Sequence, residues 1–296
     1  NFEVLKALVA YGRKAAQGLG KVFNFTLTTN GVLLTEEVQA FLNREEISVV
    51  LSIDGRPEVN DRMRPMANGK GSYEVLIPKY QQFAASRNNE NYIVRGTYTH
   101  FNTDFSRDVS HLFELGFTHL SVEPVVAFPE EPYAFNAEDV ELIKKEYEKL
   151  SQWYIVQYLE GREVDFFHFN VDLEKGPCLP KRLTGCGAGY EYLAVTPEGD
   201  LYPCHQFVGR SEYLLGNVWE GLKKPEIGLT FKEAHIYNKE KCRVCWARFH
   251  CSGGCHANAY AHNGSILKPY EMGCELQKKR LECAIYVQVV KKLKTN

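Results

Sequence analysis

Cys242-Arg243-Val244-Cys245-Trp246-Ala247-Arg248-Phe249-His250-Cys251-Ser252-Gly253-Gly254-Cys255 packs four thiols into fourteen residues. Upstream, Cys186, twelve residues, Gly199, four residues and Cys204 extend the pattern, and Cys274 adds a seventh thiol. Seven spaced thiols in a reducing cell are metal ligands before they are disulfides. Seven is too many for one tetrahedral site and close to the eight that two four-iron clusters need. Cys242-x2-Cys245 alone suits a zinc ribbon. The adjoining Cys251-x3-Cys255 suits an iron–sulfur cluster, whose four irons present separate corners. Trp246 and Phe249 could screen such a cluster from water, and Gly253 and Gly254 let backbone N–H groups approach the sulfurs.

Outward from this stretch, the chain divides chemically. All nine cysteines lie in residues 178–283, and none lies in 1–177. The first part alternates helix and strand patterns. Val4, Leu5, Leu8, Val9 and Tyr11 recur near helical spacing within Phe2–Gln17. Phe23–Thr28 reads as a strand ending at Thr29-Asn30-Gly31. Thr35 caps a helix reaching Asn43, and Ile47–Ile53 is an apolar run of the kind parallel strands show. Residues 74–87 and 105–115 read as helices, 91–98 and 118–122 as strands, and 136–159 as a long helix. This rhythm predicts a parallel α/β sheet, either a partial β/α barrel or an open Rossmann-type sheet, though no GxGxxG opens any helix. The second part is dense in turns. Tyr192–Val195 and Asp200–Tyr202 flank a hairpin turn at Thr196-Pro197-Glu198-Gly199, and residues 226–238 and 275–293 read as helices. So much Cys and Gly leaves little apolar core, so metal binding is expected to organise this region.

Composition excludes some function classes. The chain has 296 residues, 44% hydrophobic and 24% charged, with a formal net charge of -2. That balance gives no general drive toward nucleic acid or anionic membranes. No apolar run approaches ~18 residues, so no membrane span is expected. Asn1-Phe2-Glu3-Val4 lacks the features of a signal peptide, and with reduced thiols this points to the cytoplasm.

The thiol pattern from Cys186 to Cys274 resembles the SPASM domain, the auxiliary-cluster domain of peptide-modifying radical SAM enzymes, over about a third of the chain. Four stretches are similar to the maturases of SCIFF peptides, which build Cys-to-Thr thioether links. They are Gly185-Cys186-Gly187-Ala188-Gly189, Ala194 to Asp200, Tyr202-Pro203-Cys204-His205-Gln206-Phe207 and Cys251-Ser252-Gly253-Gly254-Cys255. The resemblance implies two auxiliary 4Fe–4S clusters. Cys242, Cys245, Cys251 and Cys274 would hold the outer one, and Cys186, Cys204 and Cys255 the inner one. Either Cys178 or a substrate thiolate would complete the inner set. Cys283, among apolar neighbours, is read as a buried bystander.

The resemblance also implies a domain division, with a partial radical SAM barrel over 1–165 and a SPASM domain over 166–296. It would place S-adenosylmethionine at the strand ends, with Ser52 and Asp54 near the ribose, Arg95 near the methionine carboxylate, Asn30 near a cluster and Glu123 beside them. Asp61-Arg62-Met63-Arg64 would be a loop, either shaping a substrate pocket or lying on the surface. His168 reads as a packed histidine, and His205 and His256 as cluster neighbours or bystanders. The family's Cys-x3-Cys-x2-Cys loop, which holds a third 4Fe–4S cluster, is absent from these residues, and the chain reads as a C-terminal fragment of a longer enzyme.

The expected activity of the intact enzyme is thioether formation in a Cys-rich precursor peptide, driven by a 5′-deoxyadenosyl radical, with a ferredoxin or flavodoxin as electron donor. A formylglycine-forming sulfatase maturase, a structural zinc module and a pure electron carrier are the alternatives.

Overall fold

The computed structural model describes residues 1–295. The chain forms two compact units, Asn1–Val125 with Gln152–Asn170, and Val126–Ser151 with Val171–Asn296.

The first unit opens on α1 (Phe2–Leu19), capped by the Asn1 side chain and ended by left-handed Gly20. Next come β1 (Thr26–Thr29), α2 (Glu36–Arg44), β2 (Ser48–Ser52), α3 (Pro57–Met63) and α4 (Tyr73–Ala85). Then follow β3 (Tyr92–Tyr98), α5 (Ser106–Glu114), β4 (His119–Pro124), the long α6 (Ala137–Leu159) and β5 (Asp165–Phe166). Thr35 caps α2 as expected, accepting the Val38 N–H. The strands lie in the order β1-β2-β3-β4-β5, and every neighbouring pair is parallel. A doubly wound sheet reverses its order at a switch point. This sheet does not, and its sequential order is that of a partial β/α barrel. Val49, Leu51, Val94, Leu120 and Val122 are buried in it. One edge, β5, is two residues long and carries Asp165. The other, β1, reads Thr-Leu-Thr-Thr and pairs only with β2 among the described residues. Val4, Leu8 and Tyr11 of α1 are 50%, 59% and 74% exposed.

Two sequence expectations need correction here. Residues 61–63 are not a loop, because Pro57 opens α3 and the helix runs through Met63; only Arg64 lies beyond its end. The first strand starts at Thr26 rather than Phe23. Phe25 lies against Gly12 of α1, where an added Cβ would come within 2.6 Å of its ring.

The second unit holds the first part of α6 and a small antiparallel sheet. Its strands are β6 (Ala194–Val195), β7 (Asp200–Tyr202), β8 (Gly216–Asn217) and β9 (Gly221–Leu222). The predicted hairpin is β6–β7, with Gly199 at φ 90° in its turn. The other two strands, two residues each, carry no periodic signal to read. Five helices follow: α7 (Pro225–Glu233), α8 (Glu240–Arg243), α9 (Arg248–Cys251), α10 (His256–Asn263) and α11 (Glu271–Thr295). The apolar core is small, built on Ala188, Phe207, Phe231, Ala234, Ala257 and Ile266. Among the described residues, no helix is long and apolar enough to cross a membrane.

Candidate functional site

In the first unit, parallel pairing lines up the polar residues at the strand ends. Ser52 stands opposite Arg95, Arg95 opposite Ser121, and Thr97 opposite Glu123. Residues two apart along a strand share a face, so these side chains form a polar surface on one side of the sheet. Arg95 Nη2 lies 2.8 Å from Glu123 Oε2. Ser121 Oγ is 3.0 Å from His168 Nε2, and Glu123 lies 3.9 Å from the same nitrogen. His168 is packed, as expected, and sits in a 3-10 turn, Phe167–Phe169.

Asp54 is buried and bonded on both oxygens. Arg64 donates to it from Nε at 2.8 Å and Nη2 at 2.9 Å, and the Thr97 N–H donates at 2.9 Å. Ser52 receives the Tyr80 hydroxyl on its carbonyl at 3.0 Å, and Asn30 Oδ1 accepts the Val32 N–H at 3.3 Å. Asp61 caps α4, accepting the N–H groups of Ser72 and Tyr73, both at 2.8 Å.

Sequence reading missed the network beside this surface. Arg56 bonds both oxygens of Asp104 and reaches fully buried Asp108 at 2.7 Å, while Asn102 donates to Asp108 at 3.1 Å. Burial pushes the Asp108 carboxyl above the ordinary range, against the pull of Arg56 and Asn102. Asp104 lies in the turn before α5 and Asp108 in its first turn, so the start of the helix brings both carboxylates to Arg56.

In the second unit, electrostatic coupling sorts the thiols into two groups. Cys204 senses Cys255 and Cys186, and Cys255 senses Cys186. Cys242 senses Cys251 and Cys245, and Cys274 senses Cys251, Cys242 and Cys245. The second four line one cavity of about 430 Å³, together with Trp246, Arg248 and Lys278. No three Cys, His, Asp or Glu side chains among the described residues converge tightly enough for a single metal ion. The four thiols surround a space rather than a point.

Burial raises the thiols Cys204, Cys242, Cys251 and Cys255, and pushes Cys274 up to about 11. Cys255 is exposed as a residue, yet the protein packed about its sulfur still raises it. Backbone donors oppose this. Gln206 and Phe207 bond Cys204, Gly254 and Gly253 bond Cys251, and Asn258 and Ala257 bond Cys255. Ser252, Gly253 and Gly254 are left-handed in succession, at φ 60°, 84° and 76°, which turns two N–H groups onto one sulfur.

Of the eight buried side-chain polar atoms without partners among the described residues, five gather in the same stretch. They are Arg248 Nε, Ser252 Oγ, Asn258 Oδ1 and both ring nitrogens of His256. His256 is buried; it stacks on Phe231, and burial pulls it down to about 4. Of the five atoms, Arg248 Nε and Ser252 Oγ are donors, and beside grouped thiols they fit a bound sulfur-rich anion, which would supply acceptors; Asn258 Oδ1 is itself an acceptor and needs a donor instead. Tyr192, which the sequence did not single out, is raised by burial and by Cys204 and Cys186, and its hydroxyl lies 3.5 Å from His205 Nδ1. Cys178 is exposed before the Pro180–Arg182 turn, and Cys283 is buried.

No family profile matches the chain. A cysteine-type anaerobic sulfatase-maturating enzyme of Clostridium novyi is 25% identical over 79% of this chain and 64% of its own length. The radical SAM cyclopropyl synthase TigE of Paramaledivibacter caminithermalis is 24% identical over 86% of this chain and 52% of its own. The chain thus spans about half to two thirds of the length of these relatives. The structure of native anSMEcpe with bound AdoMet superposes over 99% of this chain with a TM-score of 0.78 at 20% identity. The homologues are radical SAM maturases that modify peptides or proteins. The fold of this chain, a parallel α/β sheet followed by a cysteine-rich unit, matches that of anSMEcpe.

Proposed function

We propose that this chain is the larger part of a radical SAM maturase that forms Cys–Thr thioether links in a Cys-rich precursor peptide. The observation that carries the reading is the division of seven thiols into a group of three and a group of four, the four ringing one cavity. Cys242, Cys245, Cys251 and Cys274 would hold one 4Fe–4S cluster. Cys186, Cys204 and Cys255 would hold the other, completed by Cys178 or by a peptide thiolate. The domains assigned to these roles are residues 1–165 and 166–296. S-adenosylmethionine would lie on the strand-end surface, near Asn30, Ser52, Asp54, Arg95 and Glu123. When bound, the cofactors supply one-electron chemistry, with the starting electron from a ferredoxin or flavodoxin. The chain's own residues do the rest. Arg95 can release Glu123 to grip a carboxylate with its planar fork, and the Arg64–Asp54 pair fixes the shape of the loop after β2. The N–H donors to Cys204, Cys251 and Cys255 stabilise thiolate over thiol.

A second reading has equal support from the relatives: formylglycine formation on a sulfatase, since sulfatase-maturating enzymes from two Clostridium species are among them. Mass spectrometry of the reacted peptide separates the two. A thioether retains the cysteine sulfur in a cross-link, and formylglycine loses it. The cluster assignment is tested by metal and sulfide analysis after anaerobic reconstitution of residues 1–296. About eight irons per chain supports it. Stoichiometric zinc without iron overturns it. A Mössbauer spectrum altered by Cys178→Ala makes that thiol the fourth inner ligand, and an unaltered one leaves the place to substrate.

A further inference from the structure

Lys239 is fully buried. Its ammonium donates to the Gly253 carbonyl at 2.9 Å, and no carboxylate pairs with it among the described residues. Its own carbonyl accepts the Cys242 N–H at 2.9 Å and the Arg243 N–H at 3.1 Å, which starts α8. The residue is therefore tied at its backbone to a thiol of the four and at its side chain to the Gly-Gly link between Cys251 and Cys255. A Cβ on Gly253 would stand 3.2 Å from Nζ, so glycine there leaves room for the ammonium.

A buried ammonium on one neutral carbonyl is costly, and such charges persist when anions compensate them. The anions that would compensate this one are the neighbouring sulfurs of Cys242, Cys251, Cys255 and Cys274 as metal-bound thiolates. Burial pulls Lys239 down, while Cys242, Cys251, Cys255 and Cys274 oppose that pull. Three of these belong to the group of four, and Cys255 to the group of three.

We propose that Lys239 is a cation shared by both thiolate groups, favouring the anionic metal-bound state of each and raising both reduction potentials. The inference rests on the two-cluster reading above. Its sign follows from charge: reduction adds an electron beside a fixed positive charge, so the charge favours the reduced form. Lys278 supplies a comparison. It pairs with Glu275, and the thiols acting on it are Cys245 and Cys274, both in the group of four.

The test uses residues 1–296 and the variants Lys239→Met, Lys239→Arg and Lys278→Met, all reconstituted anaerobically. Iron and sulfide are measured first, followed by a redox titration read by electron paramagnetic resonance, in which added dithionite supplies the electron. Lys239→Met should disfavour one-electron reduction of both clusters by about tenfold or more, a decade being about 59 mV. Lys239→Arg should leave both near the parent, and Lys278→Met should move one cluster alone. Full iron loading with unchanged potentials in Lys239→Met overturns the proposal, as does an equal shift in Lys239→Arg. Loss of iron from the Met variant alone supports a role for charge. Loss from both Lys239 variants shows that space matters rather than charge, and overturns it. Absence of iron from the unsubstituted chain overturns the two-cluster reading itself, before any variant is compared.

Discussion

Asp54 was legible in the sequence as a polar residue beyond a strand, but its partner was not. Arg64 lies ten residues on, and only the α3 turn brings its guanidinium to both carboxylate oxygens. Removing one partner of a largely buried pair leaves the other charge uncompensated. Asp54→Asn should therefore cost about 3 kcal/mol, measured by urea unfolding; a loss near zero would show the pair to be incidental. His111 gives a pH-dependent counterpart. Its Nε2 lies 2.6 Å from the Tyr73 hydroxyl, and burial lowers it from the ordinary value of 6.5, although Asp108 and Glu58 pull the other way. Below 6.5 the unfolded chain then binds the proton more readily than the folded one. His111 thus contributes stability above that pH and loses it as pH falls toward the folded-state value. Unfolding free energy should drop through that window in the parent, and His111→Gln should flatten the drop.

At the scale of elements, glycine decides two close approaches. Gly96 sits in β3, where an added Cβ would lie 2.7 Å from the Ile53 carbonyl oxygen and 3.1 Å from Asp54 Cα. Both are backbone atoms, which cannot swing aside. Gly96→Ala should cost about 2 kcal/mol, read as a lowered thermal midpoint, and an unchanged midpoint would mean that β2 and β3 separate freely. The Cys-Ser-Gly-Gly-Cys turn shows what sequence could and could not reveal. Its glycines announced backbone N–H groups near sulfur, and Cys251 receives them. The left-handed Ser252 could not be foreseen, because serine seldom adopts that conformation without surrounding structure to hold it. The short strands β8 and β9 and helices α8 and α9 went unread for a simpler reason. Two to four residues hold too little of either period to register.

For the whole molecule, the alternation of apolar runs disclosed a parallel sheet, and its sequential order then separated barrel from Rossmann. The thiol spacing disclosed the metal-binding character of the second unit. Hidden from both were the ion pairs, which join residues far apart in sequence, and the place of residues 126–151, which cluster with the cysteine-rich unit. The two ends of the parallel sheet behave differently. β5 is too short to recruit another strand, and its aspartate discourages one. β1 offers an uncharged row of backbone donors and acceptors, and Val4, Leu8 and Tyr11 of α1 are exposed in the same unit. In solution, residues 1–296 should therefore self-associate along this flank as concentration rises. Sedimentation velocity should show the growth, and Leu8→Lys with Thr28→Lys should abolish it; a monomer at every concentration would contradict the expectation. The handling of the protein at high concentration would then be set by a four-residue strand far in sequence from every cysteine.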